Sequence, residues 1–403
     1  MPTILPFRAV RPPAHKAAHV LTRTYQDYSH AELEVLLEHN PFTFLQILNP
    51  GYKFHQELKG SERFTMVRNR YLEFIEDETL IQDASACLYV YQKSDRHHTY
   101  TGIIANTTGA DYQADRIKKH ENTLAKREEL FKEYLMHVGF NAEPVLLTYK
   151  ENESLKAQLD HIVQGEPVMH CVTTDQHEHK LWAVQDPLLI EQLQASFAAM
   201  DSVYIADGHH RSASSYLLGV DGDRESYKQF MSYLIPEHDL QIQEFNRLVK
   251  DLNGHSKESF LMKLDAWFRI ENRGAHLYQP SKQHHFSMYL DGEFYSLYLR
   301  KTRYNFTDPL STLDTHILYD LVLKPILGIE DERTDTRIQY TSGEEDIVCM
   351  KDAIDDGTFA VGFNPFPVTV EQMKQIADAG QVMPPKSTYI LPKLHSGLTI
   401  YQY

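Results

Sequence analysis

The chain has 403 residues, 42% of them hydrophobic, and a formal net charge of −16 at pH 7. This length accommodates two or three domains, and this hydrophobic content is enough for a sizeable core. The acidic balance argues against duplex nucleic acid and anionic membranes as partners, because like charges repel.

The cysteines and the N-terminus indicate a reducing compartment. Cys87, Cys171 and Cys349 are far apart and form no CxxC pair, which argues against a disulfide framework or a cysteine-based zinc site. The first twenty residues lack the basic-then-apolar order of a signal peptide. No apolar run reaches the ~18 residues of a membrane span. We therefore expect a soluble, cytoplasmic protein.

The N-terminal part predicts helices followed by a hairpin. A polar helix covers "HAELEVLLEHN", and a longer helix covers residues 61–78. The apolar run of residues 40–50 has a proline near each end and predicts a strand. "ASACLYVYQKS" and "YTGIIANT" predict two strands that pair as a hairpin.

The middle of the chain predicts an amphipathic helix and further strands. Leu124, Phe131, Leu135 and Val138 recur at helical spacing, and Gly139 suits the left-handed residue that ends such a helix. "EPVLLTY" predicts a strand, and "PVMHCVTTD" pairs with "HKLWAVQD". The order is then helix ("PLLIEQLQASFAAM"), strand ("DSVYIAD") and helix ("RSASSYLLG").

The C-terminal part continues this mixture. "HHFSMYLDGEFYSLYLR" predicts a hairpin around an Asp-Gly turn, and "LSTLDTHILYDLVLKPILG" a helix that Pro325 bends or restarts. "TVEQMKQIADAG" predicts a helix with a capping box between Thr369 and Gln372, ended by Gly380.

The pattern as a whole favours an α+β fold with mixed, largely antiparallel sheets. We divide the chain into an N-terminal region of residues 1–165, a core of residues 166–255 and a C-terminal region of residues 256–403.

The stretch "DGHHR" joins a predicted strand to a predicted helix. Gly208 permits positive φ and close approach of the backbone. The unpaired N–H groups that open a helix bind anions, and Arg211 adds a charged planar fork suited to phosphate. His209 and His210 add donors. Asp207 beside a phosphate site indicates a metal ion or a hydroxyl to be activated.

The alternative for this stretch is a helix start capped by Asp207 with solvated histidines. Neither a Walker loop nor a GxGxxG motif occurs in the sequence. A nucleotide bound here would therefore be held by another architecture.

Two other clusters contain candidate site residues. In "DRIKKHENT", Glu121 is a candidate general base positioned by His120; the alternative is a solvated, charged helix start. In "MPPKSTYILPKLHSG", Lys386 and Lys393 suit a phosphate or a carboxylate; the alternative is a rigid segment pinned onto a sheet.

Histidine is frequent, with 22 residues in the chain. The doublets at 97–98 and 284–285 and the histidines of the triplet 177–179 lack a second ligand pair at helical or strand spacing. We therefore interpret them as surface or core histidines rather than metal ligands.

Several stretches, taken in order, resemble a bacterial and archaeal family catalogued as domain of unknown function 1015: "ILPFRAVRP", "NPFTFLQILNP", "IKKHENT", "ADGHHRSAS" and "MPPKSTYILPKLHSGL". In addition, "DGHHR" followed by small residues is similar to the phosphate-binding motif of the ParB/sulfiredoxin superfamily, which includes free-serine kinases. That resemblance implies a ParB/sulfiredoxin-like nucleotide-binding core. It also implies that Asp207 acts on the substrate hydroxyl or a metal, and that Gly208, His209, His210 and Arg211 hold nucleotide phosphates. These kinases use an upstream glutamate as base, a role that we assign to Glu121 on chemical grounds.

Our first hypothesis is a kinase that uses ATP or ADP with Mg²⁺ to phosphorylate the hydroxyl of free serine or a similar metabolite. In this hypothesis Asp207 is the metal ligand, and Lys386 and Lys393 contact the cofactor. The second is a non-catalytic regulator that binds a nucleotide or a phosphometabolite. A ligase-type or hydrolytic enzyme with the same phosphate loop is a third possibility.

Overall fold

The computed structural model describes residues 1–56, 58–342 and 347–403. These residues form two compact units: the first comprises Met1–Leu240 with Pro392–Tyr403, and the second comprises Gln241–Leu391. Both units combine helices with largely antiparallel sheets, which confirms the predicted α+β class.

The described residues form thirteen α-helices: α1 Ala14–Val20, α2 His30–His39, α3 Leu45–Leu48, α4 Gly60–Glu76, α5 Gly109–Gln113, α6 Ala125–Val138, α7 Glu153–Ile162, α8 Pro187–Ala198, α9 His209–Asp221, α10 Lys257–Asp265, α11 Asp314–Leu318, α12 Ile347–Asp355 and α13 Val370–Asp378. Two predicted helix boundaries are confirmed. α6 ends at Gly139, which is left-handed with a φ of 76°, and α13 begins with the capping box of Thr369 and Gln372. No helix of the described residues is long and apolar enough to cross a membrane.

The described residues also form twenty strands: β1 Val10–Arg11, β2 Ile81–Gln82, β3 Leu88–Ser94, β4 Thr99–Thr108, β5 Ile117–Lys118, β6 Phe140–Asn141, β7 Val145–Tyr149, β8 Met169–Val172, β9 Glu178–Val184, β10 Val203–Asp207, β11 Gln229–Pro236, β12 Gln241–Gln243, β13 Phe245–Val249, β14 Phe268–Gly274, β15 His285–Leu290, β16 Glu293–Leu299, β17 Ile338–Ser342, β18 Val361–Pro365, β19 Tyr389–Leu391 and β20 Tyr401–Gln402. The predicted hairpins β3–β4, β8–β9 and β15–β16 are confirmed as antiparallel pairs.

The first unit is built on an eight-stranded sheet with the order β5-β10-β7-β11-β4-β3-β9-β8. β5 runs parallel to β10, with Val203 opposite Ile117 and Tyr204 opposite Lys118. The carboxyl ends of these two strands therefore lie at the same edge of the sheet. One apolar cluster joins the sheet to α7 and α8 through Leu147, Leu155 and Phe197.

The second unit is built on a six-stranded antiparallel sheet with the order β14-β16-β15-β18-β13-β17. Its core joins this sheet to α10 and α11 through residues such as Phe260, Phe286 and Ile317. The chain passes from one compact unit to the other at Leu240–Gln241 and at Leu391–Pro392. The predicted boundary after residue 165 falls inside the first sheet, because β3 pairs with β9 across it.

Two predicted elements differ from the structure. Residues 40–50 contain the one-turn helix α3 rather than a strand. A proline restricts the residue that precedes it, and Asn40 and Asn49 are indeed non-helical, but the residues between them are free to form a turn.

The predicted helix before Pro325 is helical but is not one continuous α-helix. It is divided into a 3₁₀ turn, α11 and a π-helical turn at Tyr319–Leu323. The N–H of Lys324 donates to the Tyr319 carbonyl. A proline ring clashes with the carbonyl four residues earlier in an α-helix, and the wider turn lies directly before that proline.

The central strand β7 carries a buried leucine, Leu147, whose truncation tests the packing of the first unit. Leu147 is 0% exposed and lies opposite both Ile205 and Leu234. We expect Leu147→Ala to lower the free energy of unfolding by about 2–5 kcal/mol, because it removes buried methyl groups and leaves a cavity. The control Val172→Ala, at a position 53% exposed on the edge strand β8, should cost less than about 1 kcal/mol. Urea unfolding followed by circular dichroism measures both; equal losses would contradict this packing.

Candidate active site

The "DGHHR" stretch forms a strand–loop–helix connection, as predicted. β10 ends at Asp207, and α9 begins at His209. Gly208 between them has a φ of 101°, a conformation that favours glycine. A Cβ atom at this position would lie 3.2 Å from Nε of Arg211. The glycine therefore allows the guanidinium of Arg211 to fold back against the loop.

Arg211 is anchored on both sides of this loop. Its Nη2 donates to Oδ2 of Asp207 at 2.6 Å, and its Nη1 donates to the carbonyl of Pro144 at 2.6 Å. Nζ of Lys393 lies 3.8 Å from the other carboxylate oxygen of Asp207. Asp207 is thus faced by two cations, one from α9 and one from the C-terminal segment.

The parallel pairing of β5 with β10 brings Glu121 next to this loop. The backbone N–H of His120 donates to Nε2 of His209 at 3.4 Å. That bond assigns the proton of a neutral His209 ring to Nδ1, and Nδ1 lies 3.6 Å from Oε2 of Glu121. His209 is 5% exposed, whereas the Glu121 side chain is 38% exposed. A buried imidazole therefore lies beside a carboxylate that is open to solvent.

Burial keeps both histidines of this pair neutral. It lowers the pKa of His209 to about 4 and, together with repulsion from His209, lowers the pKa of His120 to about 3. The rings meet edge to face with their centroids 4.4 Å apart. Neither ring offers a positive charge to a phosphate at pH 7. His120 is 0% exposed, and neither of its ring nitrogens makes a hydrogen bond.

His210 and the two predicted lysines lie in different surroundings. Burial, followed by the charge of Arg127, lowers the pKa of His210. Lys393 belongs to the first unit and reaches Asp207, as described above. Lys386 belongs to the second unit, where its ammonium lies 5.1 Å from the centre of the Phe245 ring.

The residues that hold the C-terminal segment of residues 392–397 were not predicted from the sequence. Lys93 donates to the carbonyl of Lys393 at 2.7 Å, and Ser396 donates to Glu143 at 3.0 Å. Glu143 lies in turn 3.8 Å from Arg211. These contacts join residues far apart in the sequence, and no local motif signals them.

The possible metal-ligand atoms at this edge of the eight-stranded sheet suit more than one kind of cation. The carboxylates of Asp207 and Glu121 belong to side chains that are 41% and 38% exposed, and such oxygen donors fit a hydrated Mg²⁺. Among the described residues, His120, Glu121 and His209 also form a group whose ligand atoms lie within 4.8 Å of one another. Two imidazoles with one carboxylate suit a transition metal better than Mg²⁺.

The neutral histidine pair predicts a loss of stability in acid. The folded pKa values lie below the ordinary value of 6.5, so the unfolded chain binds protons first as the pH falls. Their contribution is fully present above about pH 6.5 and decreases towards pH 4. We expect His120→Leu to reduce the slope of unfolding free energy against pH by about 1.4 kcal/mol per pH unit in this window.

Urea unfolding at several pH values between 7 and 4.5 measures this slope. His97→Leu changes an exposed histidine in the turn after β3 and should leave the slope unchanged. An unchanged slope in His120→Leu would show that His120 is not held neutral by burial.

The model of a family described as "Protein of unknown function (DUF1015)" matches residues 4–316. No curated protein matches the chain. Solved structures that resemble it include a mutant free serine kinase in complex with AMP, with 14% identity and a TM-score of 0.37 over 74% of this chain and 91% of that chain.

Two further solved structures show a similar degree of likeness. SbnI with a C-terminal truncation from Staphylococcus aureus has 13% identity and a TM-score of 0.40, over 72% of this chain and 82% of that chain. A conserved hypothetical protein from Pyrococcus furiosus has 14% identity and a TM-score of 0.35, over 73% of this chain and 91% of that chain.

Proposed function

The chain belongs to the family described as protein of unknown function (DUF1015), and we propose that it is a nucleotide-dependent small-molecule kinase. The acceptor is the hydroxyl of free serine or a similar metabolite, and the donor is ATP or ADP. One observation supports the proposal: the start of helix α9 and the exposed carboxylate of Glu121 lie side by side, just beyond the ends of the two parallel strands β5 and β10.

In this proposal, phosphate is bound by the start of α9 together with Arg211 and Lys393. The first N–H groups of this thirteen-residue helix carry partial positive charge. A guanidinium has five N–H donors, so the two bonds that hold Arg211 leave donors for a phosphate oxygen. Because those bonds fix the guanidinium in advance, binding a phosphate orders little further. Lys393 adds a second positive charge near the loop.

The acceptor side is Glu121. Of the two exposed carboxylates, Asp207 is already engaged by cations, since it pairs with Arg211 and lies 3.8 Å from Lys393. Glu121 faces the neutral ring of His209 instead. We therefore assign proton acceptance from the substrate hydroxyl to Glu121, and the positioning of Glu121 to His209.

Asp207 has two roles in this proposal. Its carboxylate holds Arg211 in place, and its oxygens would hold Mg²⁺, which neutralises the phosphates when bound. The predicted role of His209 as a phosphate ligand is replaced by its contact with Glu121, because its ring is buried and neutral.

The test is phosphorus NMR of the full chain with Mg²⁺, ATP or ADP, and a panel of free hydroxy amino acids. We expect a new phosphomonoester signal with serine or a similar acceptor, and none with alanine, which lacks the hydroxyl. Saturable nucleotide binding without product would instead support the regulator. The absence of binding would leave "DGHHR" as a structural helix start.

A further inference from the structure

A second cluster of ligand-type side chains lies in the first unit, outside the proposed kinase site. The turn between β8 and β9 carries Asp175 and His177, and the segment of residues 392–397 carries His395. Oδ2 of Asp175 lies 3.0 Å from Nε2 of His395 and 3.0 Å from Nδ1 of His177. One carboxylate oxygen thus faces two imidazole nitrogens.

The separations match those around a small metal ion. The three ligand atoms lie within 4.8 Å of one another. Tetrahedral Zn²⁺ at about 2.0–2.1 Å from each ligand separates neighbouring ligand atoms by about 3.3 Å. Small movements of the three side chains would therefore admit an ion between them. Two imidazoles and one carboxylate form the ligand set of many zinc sites that keep one position open.

The His177 nitrogen supports this interpretation. Nδ1 of His177 is buried and makes no hydrogen bond, although it lies 3.0 Å from the Asp175 oxygen. The pair is therefore close but poorly aligned for a hydrogen bond. A buried ring nitrogen that lies beside a carboxylate and makes no hydrogen bond is available to a metal ion.

The surrounding contacts hold the ligands in place. Thr173 donates to Oδ1 of Asp175, the oxygen that does not face the imidazoles. The same hydroxyl lies 3.1 Å from Nε2 of His179, whose Nδ1 lies 2.7 Å from the hydroxyl of Tyr91. His179 and Tyr91 are both 0% exposed. Such outer contacts orient ligands in known metal sites.

We propose that Asp175, His177 and His395 bind one divalent transition metal ion, with a preference like that of Zn²⁺. The bound ion ties the segment of residues 392–397 to the β8–β9 turn. Because Lys393 in this segment reaches Asp207, the ion also fixes the backbone that carries this lysine. The metal site is independent of the kinase proposal and of Mg²⁺.

The sequence alone does not reveal this site. The histidines of the triplet 177–179 were interpreted as surface or core residues because no second ligand pair lies nearby. The missing partner, His395, is separated from Asp175 by 220 residues.

The test is titration of the full chain with Co²⁺, which absorbs visible light strongly when it is four-coordinate. We expect the wild type to bind one equivalent with such a band. His177→Ala should weaken binding by at least about tenfold. The matched control is His170→Ala. His170 is a half-exposed histidine in the same hairpin, and it pairs with Glu178. This variant should bind Co²⁺ like the wild type.

A thermal melt with Zn²⁺ provides the second measurement. Zn²⁺ should raise the melting temperature of the wild type and of His170→Ala, but not of His177→Ala. A missing Co²⁺ band in the wild type, or wild-type affinity in His177→Ala, would overturn the proposal. Loss of the band in Glu121→Gln, with His177→Ala unaffected, would also overturn it and assign the metal to His120, Glu121 and His209. None of these results depends on kinase turnover.

Discussion

Replacement of Glu121 by glutamine is expected to lower the rate of phosphate transfer by about 10³-fold, within the 10²–10⁴ range of general-base catalysis. Glutamine has nearly the same shape but cannot accept the hydroxyl proton. Nucleotide affinity should stay close to that of the wild type, because the proposed phosphate contacts come from α9, Arg211 and Lys393. Single-turnover phosphorus NMR measures the rate, and calorimetry measures the affinity.

The control for this experiment is Glu133→Gln. Glu133 is an exposed glutamate on α6, the helix that follows the loop carrying Glu121, and its replacement should leave the rate unchanged. A Glu121→Gln variant with the wild-type rate would remove Glu121 as the base. A variant that loses nucleotide affinity and rate together would show that Glu121 serves binding instead.

Elements with their own local signals were predicted well. The ends of α6 and α13 follow from Gly139 and from the capping box of Thr369 and Gln372, and the β15–β16 hairpin follows from its Asp-Gly turn. The prediction was less reliable where it was based on the positions of prolines. Residues 40–50 form α3 because proline restricts its neighbour and leaves the interior undecided.

The sequence predicted which residue types form the candidate site, but it predicted only part of their spatial arrangement. Asp207, Gly208 and Arg211 lie within five consecutive residues, so a strand–loop–helix connection brings them together directly. The contact of Glu121 with His209 depends on the parallel pairing of β5 with β10, which no short motif encodes. Burial then makes His209 a neutral partner of a carboxylate, and burial cannot be known before the sheet order is known.

The different surroundings of Lys386 and Lys393 also depend on the three-dimensional fold and not on a local motif. They are seven positions apart in the sequence, and the sequence predicts the same role for both. The chain returns from the second unit to the first between Leu391 and Pro392, so Lys393 reaches Asp207 while Lys386 lies over the ring of Phe245. Their spacing does not show that the boundary between units falls between them.

Replacement of Arg211 by alanine is expected to weaken nucleotide binding by about 10- to 100-fold, the value of a hydrogen bond to a charged group. Stability should change little. The Arg211 and Asp207 side chains are 28% and 41% exposed, and ion pairs that solvent reaches contribute only about 0–1 kcal/mol. Calorimetry and urea unfolding measure the two effects. Arg96→Ala, which removes an exposed arginine from the β3–β4 turn, should change neither.

The double variant with Asp207→Asn then separates the two roles of Asp207. If Asp207 acts only by holding Arg211, its replacement weakens binding in the wild type but has no further effect in Arg211→Ala, because the group that it positions is already gone. If its oxygens also hold Mg²⁺, Asp207→Asn lowers the rate of phosphate transfer in both backgrounds. The second result is the one we expect. The Asp207 side chain is 41% exposed, and an exposed carboxylate is the kind of oxygen ligand that a hydrated Mg²⁺ prefers.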